Sequence, residues 1–131
     1  MFRFLIEEAD WSKLTVEFEN FPVGSCGDVS ILLAEYLIDS GYDMPIYVVG
    51  ELVEHPRVLS QAWLELDGVV LDITADGFDP NAPRIIVAEN SVWHNRFSRF
   101  DEHLVAINLY EDHTVARLRA AYKEITRRQI H

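Results

Sequence analysis

The sequence predicts an α+β domain in which helices pack on a mostly antiparallel sheet. Three observations carry this. Val29, Leu32, Leu33, Tyr36 and Leu37 fall on one helical face. Runs rich in β-branched and aromatic residues follow, two of them joined by Asp67-Gly68. Val115, Leu118, Tyr122 and Ile125 then mark a closing amphipathic helix. The order is helix, helix, strands, helix, which is not the alternation of a parallel βαβ sheet.

Residues 2 to 20 carry two signals. Phe2, Phe4 and Ile6 alternate like a strand, whereas Trp11, Leu14 and Phe18 have helical spacing. Phe21 to Gly24 reads as a loop leading into Cys26. The helix after it has Asp28 as a cap or first-turn acid and Gly41 as its stop. Ile46 to Leu52 reads as a buried strand, and Glu54 to Arg57 as a connection. Leu59 to Leu66 and Val69 to Thr74 form a hairpin, because Asp-Gly suits a two-residue turn. Arg84 to Ala88 and Leu104 to Leu109 are expected as further strands.

The 131 residues fit one domain, read as residues 1 to 131, with a single core. No apolar run approaches the ~18 to 20 residues that span a bilayer. The apolar start of the chain is short and runs into Glu7, Glu8 and Asp10, unlike a secretory signal. With one cysteine no internal disulfide can form, so a reducing cytoplasm is the expected setting. The net charge is −11. From Arg117 onward five basic residues against Glu124 give +4, so the rest carries −15. Such a body disfavours phosphate-backbone contacts, so nucleic acid is not an expected partner, nor is a membrane. The basic tail reads as cations at a helix C-terminus.

Cys26 opens the first clear helix, between Gly24 and Gly27. Helix-end N–H groups there would favour thiolate and could bind an oxyanion. A small buried core cysteine is the alternative. The hairpin register sets Leu66 opposite Val69, and so Trp63 opposite Asp72 and Gln61 opposite Thr74. Period two then puts Gln61, Trp63 and Asp72 on one face. Ala62, Leu64, Leu66, Leu71 and Ile73 take the other, which should pack under helices. A carboxylate amid the apolar strand around Asp72 needs a partner.

The stretches GSCGDVSILLAEYL and QAWLELDGVVLDITADGF resemble the transglutaminase-like branch of the papain-like cysteine-enzyme superfamily. There a cysteine opens a helix, a histidine lies in a His-Ala-Trp-like strand, and an aspartate lies in the next. The chain is also similar to bacterial proteins that continue as DITADxF and then S-x-W-H, here Ser91 to His94. The resemblance covers roughly residues 21 to 97. It implies a papain-like fold and gives Cys26 the nucleophile position, Asp72 the orienting acid and Gln61 the general base. Gly24, Gly27, Trp63 and His94 would line the cleft.

Gln61 departs from that pattern. An amide can donate and accept hydrogen bonds but cannot take and return a proton near neutrality. Losing the base should remove the ~10²- to 10⁴-fold credited to general acid–base catalysis. Of the histidines, His94 is the first candidate to replace it and His55 the second, while His103, His113 and His131 read as solvated surface. The histidines show no ligand spacing, so no metal or cofactor is expected. Two functions follow as expectations. One is a thiol hydrolase or acyl transferase acting on a peptide or protein amide or a thioester, impaired at Gln61. The other is an inactive acidic binding or regulatory protein, immunity- or antitoxin-like, docking on a basic protein.

Overall fold

A computed structural model describes residues 2–9 and 26–127 of the chain. The helical spacing of residues 11 to 18, the loop at Phe21 to Gly24, and His131 lie outside the described residues.

The first element is a helix, α1 (Phe2–Glu8), not a strand. Phe2, Leu5 and Ile6 are buried, whereas Phe4 is 58% exposed, so the buried face follows helical spacing. Helix α2 (Cys26–Asp39) ends as expected at Gly41, where φ is +98°. Its last turn is closed by Tyr42 N–H to Leu37 O at 3.0 Å and Gly41 N–H to Ile38 O at 3.0 Å, the Schellman pattern.

Strands β1 (Ile46–Glu54) and β2 (Arg57–Leu66) form one long hairpin turning at His55-Pro56, so the expected connection is only its tip. Strand β3 (Val69–Asp72) pairs back on β2 with Leu66 opposite Val69 and Leu64 opposite Leu71, the register that Asp67-Gly68 dictates. Both turn residues have positive φ, 51° and 80°. A single-turn helix α3 (Ala75–Phe78) leads to β4 (Ile86–Ala88), shorter than Arg84 to Ala88. A second single-turn helix α4 (Val92–Asn95) precedes β5 (Ser98–Leu104).

The last strand thus lies earlier than the apolar run at 104 to 109 implied. Every residue of β5 is exposed, so it carries no apolar alternation to read. Val105, Ala106 and Ile107 are instead buried in the core, and Ile107–Leu109 is a 3₁₀ turn. Helix α5 (Asp112–Thr126) closes the described chain.

The sheet is antiparallel throughout, in the order β4-β3-β2-β1-β5. Helices α1, α2 and α5 bury Leu5, Ile6, Leu32, Leu118 and Ile125 against Leu64 and Ile73 on one face. The opposite face carries a smaller aromatic core of Val48, Trp63, Val70 and Phe97, with Phe78 and Trp93 packed on it. The basic residues of α5 do more than complement its C-terminus. Arg117 binds Asp28 at 2.6 Å and Arg119 binds Glu35 at 3.3 Å, tying α5 to α2. No helix among the described residues is long and apolar enough to cross a membrane.

Candidate functional site

Strand β3 parts from β2 after Leu71, while Asp72 still pairs with Ile86 of β4, and the site forms at that fork. Asp72 ends β3 because its own carboxylate turns back on the chain. Oδ1 accepts the Thr74 backbone N–H at 2.8 Å and the Thr74 hydroxyl at 3.3 Å. Oδ2 accepts the Gln61 amide at 3.1 Å and meets His94 Nε2 at 2.7 Å. Four bonds fill the lone-pair capacity of the carboxylate. They also satisfy a side chain whose residue is only 2% exposed.

The network orients each partner. A carboxylate only accepts, so Gln61 must present its nitrogen, and its second amide hydrogen goes to Thr74 Oγ1 at 3.1 Å. His94 must likewise present Nε2–H to Asp72. Its Nδ1 then accepts from the Ser91 hydroxyl, 2.6 Å away, while Ser91 Oγ accepts the His94 backbone N–H at 3.3 Å as the N-cap of α4. Trp63 and Trp93 flank the imidazole, each with its ring centre 4.7 Å away.

Serine, histidine and aspartate are thus linked as in a hydrolase triad, but Ser91 is buried and its lone pairs serve the helix cap. The linkage holds the imidazole and offers no accessible nucleophile. Thr74 and Ser91 are members that the sequence reading missed. A serine at the start of a short helical segment is a readable N-cap signal for Ser91.

Cys26 is the first residue of α2 and is half-buried. Burial pushes its thiol above the ordinary value, and the Asp72 charge adds to this. Backbone N–H groups of Ala62, Gly27 and Cys26 itself act in the opposite direction and do not win. The expected helix-end depression of the thiol pKa is therefore not met. Ala62 is the neighbour of Gln61, and its carbonyl accepts the Ser30 hydroxyl of α2 at 3.4 Å. This locks the start of α2 against β2.

Gln61, Trp63 and Asp72 are all buried and Gln61 meets Asp72 as expected, but the β2–β3 ladder stops at Leu64 and Leu71, so the expected pairs Trp63–Asp72 and Gln61–Thr74 are not formed in it. Neither Gln61 nor His94 makes a hydrogen bond to Cys26. Tyr47 was not foreseen: its hydroxyl would lie 3.3 Å from a Cβ at Gly27. Burial and the neighbouring Cys26 raise its pKa. Gly24 lies outside the described residues. His55 is exposed at the hairpin tip, and the His103 and His113 side chains are 45% and 80% exposed. No group of three His, Cys, Asp or Glu residues among the described residues is arranged to hold a metal. The chain matches no family model, no curated protein and no solved structure.

Proposed function

We propose that this chain is a catalytically silent binding or regulatory domain built on the papain-like, transglutaminase-type plan. Support for the plan comes from three placements. Cys26 opens a helix locked against β2. Gln61 lies beside the strand residue that contacts it, and Asp72 ends the next strand. One observation carries the silence. The strand side chain that donates to Asp72 at the expected base position is an amide, and the single buried histidine among the described residues is spent on Asp72 and Ser91. Among the described residues no histidine hydrogen-bonds the thiol, and burial disfavours thiolate.

The test is the pH profile of iodoacetamide labelling at Cys26, read by mass spectrometry. A silent site labels slowly at neutral pH and gains rate only above the ordinary thiol pKa of ~8.5. Rapid labelling that is flat down to about pH 6, as a depressed thiol pKa gives, would overturn the reading.

A further inference from the structure

The β1–β2 hairpin is longer than the part of it that β3 covers. β2 pairs with β1 from Arg57 to Glu65, but with β3 only from Leu64 to Leu66. The two hairpin turns fix which backbone groups point where. Glu54 and Arg57 close one turn and Leu66 and Val69 the other, so odd-numbered residues of β2 bond to β1 and even-numbered ones point away. Ala62 obeys this rule, since its backbone meets Cys26 and Ser30 of α2. Next in line are Ser60 and Val58. Both are exposed, and their outward N–H and C=O groups have no hydrogen-bond partner among the described residues.

This stretch lacks the usual protection of an edge. Strand β5, at the rim of the sheet, is irregular opposite Val49 and Gly50 and carries Arg99, Asp101 and Glu102, which discourage pairing. Val58, Leu59 and Ser60 carry no charge. Beside them lies a cavity of about 220 Å³ lined by Leu59, Phe78 and Pro80 together with Arg57, Arg96, Glu54 and Asp79. Among the described residues neither guanidinium has a carboxylate within ion-pair distance, although Arg96 donates through Nε to Trp93 O at 3.1 Å and its charge adds to the Trp93 and Asn81 hydrogen bonds that hold the Asp79 carboxyl below its ordinary pKa. Arg3, Arg84, Arg99, Arg117, Arg119 and Arg127 all have such a carboxylate. Two acids also border the cavity. Asp79 already accepts Trp93 Nε1–H and the Asn81 N–H, each at 3.0 Å. Glu54 sits at the hairpin end.

We infer that β2 takes an extended peptide along its open edge, paired through Val58 and Ser60, with an acidic side chain opposite Leu59 held between Arg57 and Arg96. A strand edge recognises backbone, and the adjoining cavity reads one alternate side chain. The volume suits a single side chain, below the ~300 Å³ of drug-sized sites. Within the cavity the Asp79 carboxylate is already engaged by Trp93 and Asn81, and, apart from Glu54, the rest of the acidic body acts at longer range. At ~0.15 M salt its field is screened beyond about 8 Å, and the local guanidiniums decide. The same path leads from Ser60 to Ala62 and Cys26, so the peptide backbone would run up to the thiol. The inference rests on reading the domain as a binder, but it does not require the thiol to be silent.

The experiment titrates the full chain, followed by amide NMR, with acetylated and amidated Thr-Val-Glu-Val-Thr. Controls are the peptide with Lys for Glu and the peptide with N-methylated backbone amides. The Glu peptide should shift the Val58 and Ser60 amides, the Lys peptide should bind roughly tenfold more weakly, and N-methylation should abolish binding. Arg57→Ala and Arg96→Ala should each erase the preference for Glu. Ser60→Pro should also lose binding while the rest of the spectrum persists, because the N–H it removes points away from β1. Unmoved Val58 and Ser60 amides, equal affinity for the Lys peptide, or undiminished binding by Ser60→Pro would each overturn the inference. Fast Cys26 labelling alongside normal peptide binding would overturn only the silence of the site.

Discussion

The Gln61 amide donates to the Asp72 carboxylate at 3.1 Å, and both residues are closed from solvent. The side chain at this position is a hydrogen-bond donor and not a base. Imidazole can also donate to Asp72 through one nitrogen, which leaves the other free to face a nucleophile. Gln61→His is therefore expected to fold and to bring the Cys26 labelling rate at neutral pH up by at least ~10²-fold, the low end of general-base assistance. Labelling kinetics measured side by side with the parent chain decide it. An unchanged rate in a folded variant would show that β2 does not present position 61 to the thiol.

His94 and Asp72 should be coupled energetically. Removing the imidazole deprives a buried carboxylate of one of its four donors and opens a cavity between Trp63 and Trp93. His94→Ala should cost roughly 3 kcal/mol or more, in the range for breaking a buried charged hydrogen bond. In an Asp72→Asn background the same change should cost at least ~0.5 kcal/mol less. Urea denaturation of the four proteins of the cycle supplies the numbers, and additive costs would refute the coupling.

Cys26 makes stability fall at alkaline pH. Burial raises the folded thiol pKa above the unfolded value, so between the two the folded chain keeps a proton that the unfolded chain has released. The stabilisation is fully present below the ordinary thiol pKa of ~8.5 and is lost as pH rises through the folded value. Tyr47 and Tyr122 are raised as well, and their loss begins only near the ordinary phenol pKa of ~10. In Cys26→Ala the first decline should vanish and the second remain. Urea midpoints at about pH 8, 9.5 and 10.5 separate the two windows.

The sequence made some of these relationships legible and hid others for physical reasons. Asp67-Gly68 fixes a turn, the turn fixes a register, and the register put Gln61 and Asp72 on one face. Gly41 marked the end of α2 because the Schellman geometry needs positive φ. The bond between His94 and Asp72 was not legible, because it spans 22 residues and depends on how α4 packs over Trp63. Strand β5 was invisible because a fully exposed strand has no hydrophobic period. The buried run after it then imitated a strand. At α1, Phe2, Phe4 and Ile6 mimicked alternation, although Leu5 completes the buried helical face.

Gly50 supports the site from behind, and its substitution gives a sharp test of the aromatic layer. It lies opposite Gln61 in the β1–β2 ladder. A Cβ at this position would meet the Trp63 ring at 2.8 Å and Phe97 Cβ at 2.9 Å. Neither neighbour can yield easily. Trp63 is buried against His94, and the Phe97 contact is at its Cβ, which moves only with the backbone. Backbone conformation is not the constraint, since Gly50 does not have positive φ. Gly50→Ala should therefore destabilise the chain by about 1 to 3 kcal/mol, the cost of overpacking, despite the better strand propensity of alanine. It should also perturb the NMR signals of the Trp63 and His94 side chains while leaving the α1–α5 core unchanged. A neutral or stabilising effect in thermal or urea unfolding would mean that β1 and the aromatic layer are not in the close contact described.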